Sequence, residues 1–208
     1  MLPLSAARLY GIVDLGYVKP ENVVSMTQQL LAGGIDILQL RAKGADLAQV
    51  IDLGQAVHMH TQAAGIPLVI NDHPLAAAKI QSEGVHVGQD DDAIARARDI
   101  VGSQCFVGKS THSLAQAEAA QAEGADYIGF GPLFATGTKP DYTPIGLQDI
   151  TTVHQRVQLP IFCIGGVNAE RLATILAAGA KRVVVVSAFL CAADPRQEVA
   201  NYKLRFFT

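Results

Sequence analysis

The chain has no tryptophan and only three cysteines, Cys105, Cys163 and Cys191, too few and too scattered to staple a small fold or to bind zinc. Cys105 and Cys163 sit inside apolar runs and read as reduced packing residues rather than nucleophiles. Charge is scarce as well. Charged residues make up 17% of the sequence, and a formal net charge of −3 gives no reason to expect a nucleic-acid or other polyanion surface. Any anion bound here must therefore be held by a local arrangement of donors. No apolar run approaches the roughly 20 residues of a membrane span. The opening "LPLSAARLYGIVD" lacks the basic start and long apolar core of a secretory signal, so the expectation is a soluble cytoplasmic protein.

What the 208 residues do contain is a series of short apolar runs at 8–14, 35–41, 67–72, 84–88, 105–111, 127–132, 160–167 and 182–189. Several are apolar on consecutive rather than alternate positions, which suits strands covered on both faces, as in a parallel sheet. Between them lie Ala- and Gln-rich amphipathic stretches. Gly34, Gly65, Gly84, Gly124 and Gly179 follow them, where glycine can take the left-handed turn that ends a helix. No linker or charge block interrupts the series, so residues 1–208 read as one domain. A strand count of eight favours a single-domain (β/α)8 TIM barrel, an α/β fold, over a doubly wound open sheet. The third helix, after Pro74, should be very short. The Ala-rich outer helix faces suit either solvent or a second copy of the chain.

A parallel barrel gathers its strand C-termini on one face, where active sites are built. The second run delivers Gln39, Arg41 and Lys43, the third ends in Asn71 and Asp72, and the fourth leads into Gln89, Asp90, Asp91 and Asp92. The fifth ends in "GKSTHS", the sixth leads into "GPLFATGTKPDYTP", the seventh ends in "IGGVN" and the eighth in "VVSAF". Alone, Asn71 and Asp72 before Pro74 read as ordinary helix caps. Their neighbours change that. Arg41, Lys43 and Lys139 suit phosphate oxygens, whereas two carboxylates beside a phosphate repel it unless a cation lies between. Mg²⁺ binds characteristically through one or two carboxylates plus phosphate oxygens, so Asp72 with Asp91 spells a Mg²⁺–pyrophosphate site. The Gly pair of "IGGVNAE" and the backbone around Ser187 suggest a second anion site, where such barrels often hold a phosphate. Together the two sites imply transfer of an electrophile from a diphosphate onto a monophosphate acceptor.

The ordered set "LQLRAKG", "VINDHPLAA", "GVHVGQDD", "GKSTHS", "GADYIGFGPLFATGTK", "IGGV" and "VVVVSAF" resembles the thiamine-phosphate synthase family over most of the chain. The resemblance implies a Mg²⁺-dependent transferase acting on two small molecules. These are 4-amino-2-methyl-5-hydroxymethylpyrimidine diphosphate and a hydroxyethylthiazole phosphate, carboxylated or not, with no nucleic-acid or membrane partner. Gln39 would meet the pyrimidine. Arg41, Lys43, Asn71, Ser110 and Lys139 would hold the diphosphate, with Arg41, Ser110 and Lys139 stabilising its departure. Asp72 and Asp91 would bind Mg²⁺. Thr136, Thr138, Gly166, Val167, Val186 and Ser187 would hold the thiazole phosphate. Ser110 either adds a hydrogen bond or moves a proton with the leaving group.

The sequence departs from the family pattern at Ala135 and Gly137, which should loosen the strand-six loop. "GQDD" offers three aspartates; alignment from Gly88 favours Asp91 as ligand and leaves Asp92 as a helix N-cap. Asp14 and Lys109 receive no role. A thiazole tautomerase of the same fold, with His112 as acid or base, and a non-catalytic phosphate-binding regulator are the competing functions. The acidic pair with Lys139 favours the synthase. Otherwise His112 reads as a strand-end residue beside the cap Ser113, and His58, His60, His73 and His86 as surface or packing histidines.

Overall fold

A computed structural model of the chain describes residues 3–89, 93–137 and 143–206. Eight parallel strands, β1 (Leu9–Asp14), β2 (Ile37–Arg41), β3 (Leu68–Asn71), β4 (Gly84–Val87), β5 (Phe106–Thr111), β6 (Tyr127–Phe130), β7 (Ile161–Cys163) and β8 (Val183–Val185), pair in chain order. β8 also pairs with β1, which closes the barrel and rules out the open sheet. All six residues of β1 are buried, as are the four of β3 and of β6. Sheet face and helix face both cover these strands, which is why their side chains run apolar without alternation.

The helices are α1 (Val23–Gly33), α2 (Leu47–Ala64), α3 (Pro74–Ile80), α4 (Ile94–Val101), α5 (Leu114–Ala122), α6 (Ile150–Arg156), α7 (Ala169–Ala177), α8 (Ser187–Leu190) and α9 (Pro195–Arg205). Helix α3 has seven residues, as short as expected. Among the described residues no helix is long and apolar enough to cross a membrane. Gly34 and Gly65 are left-handed C-caps with φ of 94° and 69°, and Gly124 and Gly179 take the same conformation. Gly84 does not. It is the first residue of β4, and Gln81 caps α3 instead.

Gly84 and Gly108 are small because aromatic rings on the next strand lie over them. A Cβ on Gly84 would come within 2.1 Å of the Phe106 ring, and one on Gly108 within 2.1 Å of the Tyr127 ring. Each glycine stands opposite its aromatic in the strand register. Gly108→Ala is expected to lower stability by about 1–3 kcal/mol, the scale of overpacking a dense core. Chemical denaturation would read the loss, and unchanged stability would mean that the ring can move aside. Two further expectations fail. The eighth run ends as strand at Val185, and Ser187 opens the short helix α8. The N-cap of α4 is Ala93, with no side-chain cap, rather than Asp92.

The N-terminal face of the barrel carries structural polar groups. Asp36 accepts hydrogen bonds from the backbone N–H groups of Arg8 and Leu9 at 2.9 Å each and also pairs with Lys203 of α9. Arg98 bridges the Cys105 carbonyl and Asp126. Burial pushes the Cys105 and Cys163 thiols up to about 12, consistent with packing residues and not nucleophiles.

Candidate active site

One pocket opens at the C-terminal ends of the strands, where the fold gathers its polar strand ends. Gln39 and Arg41 from β2, Asn71 from β3 and Ser110 from β5 line one part of it. Thr136, Gly166, Val167, Val186 and Ser187 line another. Nine residues chosen from the sequence thus share a single cavity. Lys43 lies outside its wall, exposed in the turn after β2. Asp72 also stands outside the wall, half-buried at the rim just beyond β3. Asp91, Thr138 and Lys139 fall outside the described residues, as do Asp90 and Asp92.

Asn71 and Asp72 are not the caps of α3. That helix takes His73 as its N-cap, without a side-chain bond, and Pro74 fills its first turn. The Asp72 backbone sits at φ 60°, a left-handed conformation that aspartate tolerates better than most residues. Its N–H donates to the His86 carbonyl at 2.8 Å, so the end of β3 is tied to β4. Next to it, buried Lys109 donates from Nζ to the Gly88 carbonyl at 2.6 Å, and Gln89 donates to the Ser110 carbonyl. Lys109 thereby gains a role that its sequence neighbourhood did not suggest: it anchors the backbone that leads from β4 towards residues 90–92.

Asp14 gains one too. At the end of β1, it accepts from Arg41 Nη1 at 2.8 Å and from the Gly16 N–H at 2.9 Å, with its side chain 2% exposed. The guanidinium is thus fixed on one side while Arg41 still lines the pocket. Planar guanidinium donors remain for a second oxyanion.

The pocket floor is aromatic. Tyr10, Tyr127 and Phe162 meet with ring centroids 5.4 to 6.1 Å apart, from β1, β6 and β7. Through these rings runs a buried hydrogen-bond chain. Gln39 Nε2 donates to the Tyr10 hydroxyl at 2.8 Å, which lies 3.1 Å from the Tyr127 hydroxyl. Tyr127 lies 3.0 Å from His86 Nδ1, and His86 Nε2 lies 3.0 Å from Ser110 Oγ. His86 is therefore a pocket residue bonded at both ring nitrogens, which corrects its reading as a surface or packing histidine. His58, paired with Glu83 at 3.1 Å and buried away from the pocket, keeps that reading.

On the far side, the β6–α6 and β7–α7 loops hold each other. Leu133 and Phe134 donate backbone N–H groups to the Ile164 and Gly165 carbonyls at 2.8 and 3.1 Å. Arg171 donates to the Gly166 carbonyl at 2.9 Å, and its guanidinium carbon lies 4.5 Å from the centre of the Phe134 ring. Gly166 has φ 64°, and a Cβ there would press on Phe134 and Arg171 at 2.8 Å. The loop expected to be loose at Ala135 and Gly137 is pinned at its root. His112 lines the pocket, with Nδ1 against the Gly131 carbonyl and its N–H on Gln116, while Ser113 caps α5 as expected.

A sequence model of the family described as thiamine monophosphate synthase matches residues 9–189. The chain is 40% identical over 188 residues to a thiamine-phosphate synthase of Chloroflexus aurantiacus, across 90% of this chain and 87% of that protein. It is 36% identical over 197 residues to one of Pelotomaculum thermopropionicum, across 94% and 90%. Among solved structures, the thiamine phosphate pyrophosphorylase from Pyrococcus furiosus matches with a TM-score of 0.89 at 28% identity, over 98% of this chain and 97% of that one.

Proposed function

The chain belongs to the thiamine monophosphate synthase family, and from that premise we propose that it transfers the aminopyrimidinylmethyl group from its diphosphate to the nitrogen of a hydroxyethylthiazole phosphate. The products are thiamine phosphate and pyrophosphate. The observation that carries this reading is the convergence of Gln39, Arg41, Asn71 and Ser110, from three strands, on one side of a pocket. Thr136, Gly166, Val186 and Ser187 line its other part.

In this reading Gln39 meets the pyrimidine. Arg41, Lys43, Asn71, Ser110 and Lys139 hold the diphosphate. Thr136, Thr138, Gly166, Val167, Val186 and Ser187 take the thiazole phosphate. The bond from the methylene carbon to the diphosphate oxygen breaks with its electron pair leaving on the diphosphate. The thiazole nitrogen then donates its lone pair to the same carbon. No proton leaves the nitrogen, so the step needs charge stabilisation and positioning more than a base. The aromatic floor of Tyr10, Tyr127 and Phe162 keeps water from the electron-poor methylene.

The donor set fits a hard divalent cation. Among the described residues no cluster of three or more His, Cys, Asp and Glu side chains is present, so a purely protein-built cage is not offered there. A half-buried carboxylate at the rim, Asp72, beside the strand that leads to Asp91, suits an ion that takes its other ligands from water and phosphate. Asp72 and Asp91 would hold Mg²⁺, which when bound neutralises charge on the diphosphate. Purified protein given both substrates is expected to form thiamine phosphate with Mg²⁺ and to stop when the ion is chelated. Absence of product under both conditions would overturn the proposal.

A further inference from the structure

The chain of hydrogen bonds under the pocket has a direction. At one end Gln39 presents Nε2, which has only protons to give. Tyr10, 1% exposed, must accept there. Its own proton then has the Tyr127 hydroxyl, 3.1 Å away, as its acceptor. Tyr127, equally buried, has accepted in turn and passes its proton to His86 Nδ1 at 3.0 Å. A neutral imidazole that accepts at Nδ1 carries its proton on Nε2, and that nitrogen faces Ser110 Oγ at 3.0 Å. Ser110 accepts from His86, and its own hydroxyl proton is left to donate in another direction. The opposite order would leave a buried Tyr10 proton between two donors, an arrangement that folded proteins avoid.

We infer that Gln39, Tyr10, Tyr127 and His86 form a one-way relay that fixes Ser110 as a hydrogen-bond donor to the departing diphosphate, with Tyr10, Tyr127 and His86 as positioning residues. The inference rests on the proposed reading of the pocket as a diphosphate-transfer site. It also decides between two roles for Ser110. The relay begins at an amide, which cannot surrender its proton, so no net proton travels along it. The relay polarises the serine and does not resupply it. Burial raises both tyrosine hydroxyls far above their ordinary range, so they remain neutral links that each carry one proton. At the opposite end, Gln39 Oε1 is left as an acceptor, the partner an exocyclic amine on the pyrimidine requires. Donor and acceptor ends of the pocket are thus set by one continuous chain across β1, β2, β4, β5 and β6, and bonds in such a chain strengthen one another.

A double-mutant cycle tests the coupling. Ser110→Ala is expected to lower kcat on the order of 100-fold, the scale of losing one donor to a developing anion. Tyr127→Phe, which cuts the relay but keeps the ring, should lower kcat about tenfold with KM for the pyrimidine diphosphate nearly unchanged. In the Ser110→Ala background the Tyr127→Phe change should cost nothing more. A full tenfold cost there, or wild-type kcat in the single variant, would overturn the relay. Tyr10→Phe, cut at a different strand, must repeat the pattern, which keeps the test usable if Tyr127→Phe does not fold. The direction has its own readout. Nitrogen NMR of wild-type protein should find His86 protonated at Nε2 and bare at Nδ1, and the other tautomer or a doubly protonated ring would reverse the assignment. A wild-type protein that makes no thiamine phosphate would instead sink the proposed function, and the NMR result would still stand or fall separately.

Discussion

Asp72→Asn is expected to lower turnover on the order of 100-fold or more, the scale of removing an electrostatic stabiliser of the developing charge. Asparagine is the better test than alanine because residue 72 has φ 60°, a backbone conformation that Asn adopts readily and that strains other side chains. The fold should survive. The turn is fixed by the Asp72 N–H donating to the His86 carbonyl at 2.8 Å, a bond the substitution does not touch. What the substitution removes is one negative charge at the rim, just beyond the end of β3. If Asp72 holds Mg²⁺, the Mg²⁺ concentration needed for half-maximal rate should rise and Mg²⁺ should no longer strengthen binding of the pyrimidine diphosphate. Near-normal turnover with an unchanged Mg²⁺ requirement would remove Asp72 from the metal role.

The barrel was legible because each strand announces itself locally. Consecutive apolar residues, then a polar end, then a helix closed by glycine recur with little interference, and Gly34, Gly65, Gly124 and Gly179 all take the turn their position predicts. Gly84 misled because a glycine needed for close approach of the Phe106 ring looks, in sequence, like one needed for a turn. The polar strand ends are legible for the same local reason, and Gln39, Arg41, Asn71 and Ser110, read from them, line the pocket. The supporting residues were hidden because their partners are remote. Tyr10 and Tyr127 bond across 117 positions, and each sits in an apolar run where a tyrosine reads as packing. His86 shows its role only once β4 and β5 are side by side. Asp14 carried no signal without Arg41, 27 residues away.

Asp14→Ala should be among the most destabilising single changes available near the pocket, by about 3–5 kcal/mol, because it strands a partly buried guanidinium. The pair is well enclosed, with side-chain exposures of 11% for Arg41 and 2% for Asp14, so water cannot fully replace the carboxylate. Two donors lose their acceptor at once: Arg41 Nη1 and the Gly16 N–H. The charge accounts for most of the loss, and that claim separates from a loss of packing. In the double variant Asp14→Ala with Arg41→Met no charge is left without a partner, and an apolar chain of similar length fills the space. Denaturant unfolding should therefore find the double variant more stable than Asp14→Ala alone, with only the Gly16 bond and the small cavity uncompensated. If the two changes instead destabilise additively, Asp14 acts through the turn at Gly16 and Arg41 holds its place in the pocket without it.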